Sequence, residues 1–175
     1  AWMGYNSQGF AIMNTASYNL KDDDVNPKEM DKEGVVMTLA LQKCTTVDDF
    51  ENLLNTMPKP LGVEANFGVI DALGNGAYFE TNNYEYTRFD LKDAPDGVMI
   101  RTNYSYSGRK DKGMGYIREQ NENVLFAKHI KNNDFSPIVF TEEISRTYYH
   151  SLLDHDFTHD NIEWFIDQDF IPRRS

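Results

Sequence analysis

Sulfhydryl chemistry is almost missing from this 175-residue chain, since Cys44 is its one cysteine. That excludes an internal disulfide and a zinc site built on thiolates. No apolar run approaches the roughly 18 residues that read as a membrane span, and no basic segment followed by an apolar stretch opens the chain as a secretory leader does. Basic residues are scarce: 17 Lys and Arg against 28 Asp and Glu leave a formal net charge of −11. Broad binding to nucleic acid or to an anionic membrane depends on Lys and Arg, so neither is expected. Repeats and low-complexity linkers are lacking as well, and nothing in the composition fixes a compartment.

What remains is an ordinary globular composition, 40 % hydrophobic and 13 % aromatic, of a length suited to one domain or most of one. The small apolar segment Gly9 to Met13 reads as a buried strand entered from the turn Asn6-Ser7-Gln8-Gly9. Asn19 to Asp31 is polar and reads as a surface loop. Val35 to Cys44 is apolar around most of the helical wheel, predicting a helix covered on most sides with Cys44 as a packed hydrophobe. Thr46 suits the N-cap of a second helix carrying Phe50, Leu53, Leu54 and Met57, which Pro58 and Pro60 end.

Four extended segments follow, Ala65 to Ile70, Gly76 to Glu80, Tyr84 to Phe89 and Val98 to Thr102, separated by turn residues as in an antiparallel meander. Their imperfect alternation predicts a sheet covered on both faces, hence a layered α+β architecture. Past Gly115 the pattern turns helical, with Ile117, Val124 and Leu125 on one stripe. It does so again after Thr141, with Ile144, Tyr148 and Leu152 as the apolar face.

Three pieces in order carry a family likeness: Gly4-Tyr5-Asn6-Ser7-Gln8-Gly9-Phe10-Ala11-Ile12, then Phe67-Gly68-Val69-Ile70-Asp71-Ala72 with Phe79-Glu80, then Ile100-Arg101-Thr102-Asn103. Together they resemble the linear-amide hydrolases among the N-terminal-nucleophile enzymes, related to choloylglycine hydrolases and penicillin acyltransferases. The closing Phe170-Ile171-Pro172-Arg173-Arg174-Ser175 resembles the approach to a later family strand. The resemblance implies a four-layer αββα sandwich with antiparallel sheets between helical layers, and hydrolysis or acyl transfer at a non-peptide amide C–N bond. It implies no cofactor or metal.

The family places its nucleophilic cysteine, whose own α-amino group is the base, well before the G-x-N turn. Only Ala1 to Met3 precede the turn here. Residues 1–175 are therefore expected to be one partial domain, truncated at both ends relative to the family and inactive alone. Cys44, in an apolar helical pattern and without a terminal amine, is a poor substitute.

The resemblance assigns Asn103 as side-chain donor to the oxyanion, and Asn6 to the same hole or to holding the attacking end in place. It puts Arg173 and Arg174 where a cation lowers the thiol's pKa. Glu80 and Arg101 are expected to pair structurally within the sheet. Tyr84, Tyr86, Tyr104 and Tyr106 can line a pocket, although half-buried packing is the usual use of such rings. The expected partner is a small-molecule amide such as an N-acyl amino acid or a bile-salt conjugate. Exposed sheet edges leave room for a homo-oligomer or for association with the missing segment.

Two other readings compete. His150, His155 and His159, interleaved with Asp154, Asp156 and Asp160, suggest a metal-dependent hydrolase, although the spacing matches no standard zinc pattern. A non-catalytic ligand-binding module fits a chain without a nucleophile equally well.

Overall fold

Antiparallel strand pairing organises the first part of the chain. In the computed structural model, which describes residues 2–17, 19–20, 25–110, 115–160 and 169–170, five strands pair in sequence order and antiparallel. They are β1 (Met3–Tyr5), β2 (Ala11–Ala16), β3 (Ala65–Ile70), β4 (Gly76–Thr81) and β5 (Tyr86–Asp90). Ile12, Val69 and Ala77 are register partners on one face, as are Asn14, Phe67 and Phe79. Helices α1 (Glu33–Lys43) and α2 (Val47–Thr56) supply the rest of the core that this face builds. Phe50 of α2 meets Phe67 and Phe79 edge-on, at ring-centroid distances of 5.6 and 5.1 Å. Each such ring contributes roughly 2 to 3 kcal/mol of apolar burial.

The start of α2 follows from its sequence. Thr46 Oγ1 accepts from the Asp49 backbone N–H at 3.1 Å, and Asp49 Oδ2 accepts from the Thr46 N–H at 2.8 Å. This reciprocal cap satisfies amides that a helix end leaves without partners. Helix α1 is less covered than the expected burial on most sides. Val36, Met37 and Ala40 are buried, but Val35 is 54 % exposed because the packing is one-sided. Asn19, assigned to a surface loop by composition, is 1 % exposed and held by the loop at 105–109.

Val98 to Thr102 does not pair as a strand. Turns of 3-10 helix at Leu91–Asp93 and Pro95–Gly97, the second with Asp96 and Gly97 at φ 56° and 67°, carry the chain away from the β5 ladder. Strand propensity without a ladder partner leaves an extended coil. The chain then groups into two compact units, Ala1–Met99 with Ser105–Lys110, and Ile100–Tyr104 with Asp111–Ser175.

The second unit is built on α3 (Gly115–Asn132), whose buried positions include Ile117 and Phe126 but also Arg118, Asn121 and His129. Val124, expected on its apolar stripe, is 50 % exposed. The next helical stretch begins earlier than Thr141. It opens at Pro137 and Ile138, continues as a π-helical turn at Val139–Glu143 and ends in a 3-10 turn at Ile144–Arg146. Tyr148 and Leu152 lie beyond it, in and around a hairpin of β6 (Tyr149–His150) and β7 (His155–Asp156). Residues 162–166, Arg173 and Arg174 lie outside the described residues. The fold is α+β with an antiparallel sheet, and no helix among the described residues is long and apolar enough to cross a membrane.

Candidate functional site

The backbone around Asn103 is held by the first turn of α3. Thr102, 6 % exposed, donates its hydroxyl to the Gly115 carbonyl at 2.7 Å. Gly115 lies so close that a Cβ there would sit 2.4 Å from the Asn103 carbonyl carbon and 2.6 Å from Tyr104 N. Only glycine permits that approach. One turn further on, Arg118 donates from Nη2 to Asn103 Oδ1 at 2.5 Å while remaining 6 % exposed. Tyr104 and Tyr116 meet edge-on at 6.3 Å. Farther along α3, burial pushes the Glu122 carboxyl up to about 7, against the pull of the Arg118 charge.

The Arg118 bond settles the direction of the Asn103 carboxamide. A guanidinium has donors and no acceptor, so the amide must present its oxygen to it, and the NH₂ group points the other way. A directed amide N–H is the kind of donor that stabilises a tetrahedral oxyanion.

Asn6 belongs to the other unit and is engaged differently. Its Nδ2 donates to the carbonyls of Leu41 at 3.0 Å and Cys44 at 2.8 Å, and its Oδ1 accepts from the N–H groups of Gln8 and Phe10. Both amide protons are thus taken by the end of α1. In this geometry Asn6 locks the turn between β1 and β2 and offers a substrate no donor.

Within that first unit, the sheet face turned away from α1 and α2 has two unlike ends. At one end Met3, Tyr5, Met13, Ile70, Leu91 and Met99 border an open apolar trough of about 630 Å³, also lined by Gly68 and Gly76. Thr15 Oγ1 and Tyr78 Oη, 3.3 Å apart, mark where it turns polar. At the other end Glu80, 1 % exposed, accepts from the N–H groups of Tyr106 and Ser107 at 2.7 Å each and from Ser107 Oγ at 2.6 Å. Ser105 bonds to Asn19, Asn66 and Ser17 beside it. A buried carboxylate held by three donors is a loop anchor that tolerates its own desolvation.

Glu80 therefore occupies the sheet as expected, whereas Arg101 follows the last strand of the sheet and donates to the Ile100 carbonyl. Within the first unit, Tyr86 and Tyr106 are engaged apart from each other. Tyr86 packs on Phe79 on the helical side, with its hydroxyl near Glu51 and Asn55, while Tyr106 stacks on Phe89.

Two of the histidines, His150 and His155, face each other as cross-strand partners in the β6–β7 hairpin, but they engage different carboxylates. His150 is 8 % exposed with Nε2 3.4 Å from Asp169 Oδ2, while the exposed His155 pairs with Asp160 at 2.7 Å. Among the described residues no three or more His, Cys, Asp or Glu side chains are grouped to hold a metal ion. Cys44 is 2 % exposed, and burial pushes its thiol up to about 11. A thiol so placed is inert.

Sequence reading missed Gly115, Arg118 and Glu122. The signal that marks them is an Arg and a Gly on the buried side of a helix whose exposed face already carries charges.

No protein-family model matches the chain, and no curated relative matches it. Among solved structures, a variant of the conjugated bile acid hydrolase from Clostridium perfringens aligns with a TM-score of 0.40 and 13 % identity. The alignment covers 77 % of this chain and 55 % of that one. The chain thus spans little more than half the length of this structural neighbour, a hydrolase.

Proposed function

We propose that this chain is part of a thiol amide hydrolase of the N-terminal-nucleophile kind, acting on linear, non-peptide amide C–N bonds, with Asn103 as donor to the oxyanion. The observation that carries the reading is the directed Asn103 carboxamide, held by Arg118 through its oxygen and by Gly115 and Thr102 through its backbone. The order of the G-x-N turn, the central strands and Thr102-Asn103 supports it. In this reading the thiolate comes from a cysteine outside residues 1–175, because Cys44 is buried and its pKa is raised.

Attack of that thiolate on the amide carbon places negative charge on the carbonyl oxygen, and the Asn103 N–H stabilises it at about 3 Å. Collapse breaks the C–N bond as the nitrogen takes the proton that the cysteine's own α-amino group removed from the thiol. The amine is released and a thioester remains, which water resolves in a hydrolase and another nucleophile in an acyltransferase. Arg173 or Arg174 supplies a cation that lowers the thiol's pKa. Asn6 holds the turn that enters β2, a positioning part. A second sheet packs on the open face of the five-stranded sheet, completing four αββα layers. The substrate is a small amide such as an N-acyl amino acid or a bile-salt conjugate.

The test is amine release from N-acyl amino acids by the intact protein and by this chain alone. Turnover is expected only from the intact protein, and Asn103→Ala should lower it by about 10²-fold or more, the usual effect of losing one oxyanion donor. Turnover by the chain alone, or an unchanged rate in the variant, overturns the proposal. The open apolar trough favours a second reading, a binding module without chemistry. An intact protein that binds such amides and releases no amine supports that reading instead.

A further inference from the structure

We infer that Arg118 is the positioning residue of Asn103, fixing which end of its carboxamide faces the reacting carbonyl; this rests on the hydrolase reading above. A terminal amide torsion is broad and nearly two-fold, so an unrestrained asparagine exchanges its oxygen and nitrogen at little cost. One orientation gives the developing oxyanion a donor, and the other gives it a second partial negative charge. A donor-only guanidinium on one side of the carboxamide removes the wrong orientation.

Three features make this more than a surface contact. Arg118 is 6 % exposed, so its bond to Asn103 Oδ1 lies in a region of weak screening. Gly115, three residues earlier on the same helix, touches the Asn103 carbonyl so closely that the helix and the asparagine cannot slide apart without breaking a packed contact. Thr102 fastens the same turn through the Gly115 carbonyl at 2.7 Å. Side-chain direction and backbone position of Asn103 are therefore set by one helical turn, and an error in either removes the donor from reach.

The experiment is a double-mutant cycle in the intact protein, with kcat and KM read separately on an N-acyl amino acid. Arg118→Met is expected to lower kcat by about tenfold or more with KM changed less than about twofold, and Arg118→Lys, which keeps a donor, to recover part of the loss. In an Asn103→Ala background the same Arg118→Met change is expected to cost less than about twofold, because its effect runs through Asn103. Full additivity of the two substitutions overturns the inference.

A second readout is independent of activity: the side-chain amide signal of Asn103 in a ¹⁵N–¹H correlation spectrum, identified by its loss in Asn103→Asp. Two slowly exchanging protons are expected in the wild type, and a shift of both with faster exchange against solvent in Arg118→Met or, should that variant not fold, a shift in Arg118→Lys. An Asn103 signal unchanged by either substitution overturns the inference. If Asn103→Ala keeps the wild-type rate, the hydrolase role of Asn103 fails while the spectrum still decides what Arg118 does.

Discussion

An asparagine is ambiguous in a sequence because its side chain serves a turn, a strand end or a reacting group with the same four hydrogen-bonding sites. Asn6 and Asn103 are engaged in different ways. Family order singled out each, yet the Asn6 amide is closed by two helix carbonyls, and the Asn103 amide is turned by a buried arginine. Arg118 was not legible, since an arginine in a helix reads by default as a solvated face.

Two predictions belong to single groups. Cys44, 2 % exposed with its pKa pushed up to about 11, should leave a disulfide reagent untouched at pH 8 in the folded chain and react fully in denaturant. Prompt labelling of the native protein contradicts this. For Glu122, burial raises the folded carboxyl from 4.5 to about 7, so the native state holds more protons than the unfolded state between those values. Stability should therefore decline as pH rises from about 4.5 to 7 and level off above. Glu122→Gln should flatten the slope in urea titrations over that range, and an unaltered slope tells against the assignment.

At the scale of elements, local signals that a ladder or cap confirms were read well. Ala65–Ile70 is a strand over the residues expected, and Thr46 caps α2 as its sequence indicates. Val98 to Thr102 was misread because its composition suits a strand while the turn at Pro95–Gly97 denies it a partner. The early start of the helical stretch at Pro137, ahead of Thr141, was likewise invisible, since most of the stretch is a π-type turn that follows no standard period.

Glycine in helices supplies a test with opposite signs. At Gly34, in α1, an added Cβ meets nothing within 4 Å, so Gly34→Ala should raise stability by about 0.5 to 1 kcal/mol. At Gly115 the Cβ would fall 2.4 Å from backbone, so Gly115→Ala should lower stability by about 2 kcal/mol or more. Urea denaturation compares the pair, and a stabilising Gly115→Ala contradicts the close approach of α3 to Asn103.

At the scale of the whole molecule, charge and surface pull in different directions. A net charge of −11 favours solubility and argues against nucleic-acid partners. Yet Trp2, Met3 and Tyr5 are 73, 72 and 83 % exposed, and they lie in and beside β1 at the edge of a sheet whose second face is apolar at that end. Such an edge pairs readily with other strands. We expect the isolated chain to self-associate with rising concentration in sedimentation, and Tyr5→Glu with Met13→Lys to suppress that. A monomer at all concentrations contradicts it. The antiparallel meander of β3, β4 and β5 was legible because strand propensity and turn chemistry are local. The grouping of the chain into two units, with Asn103 on one and Asn6 on the other, was not, because it depends on long-range packing.

The account rests on which atom of the Asn103 carboxamide faces Arg118, and one substitution reads that directly. Asn103→Asp keeps an oxygen toward the guanidinium and deletes the N–H proposed as the oxyanion donor. In the intact protein it should unfold at a denaturant concentration no lower than the wild type while losing at least about 10²-fold in kcat. A variant that keeps its turnover, or one that loses stability as Asn103→Ala does, contradicts the account.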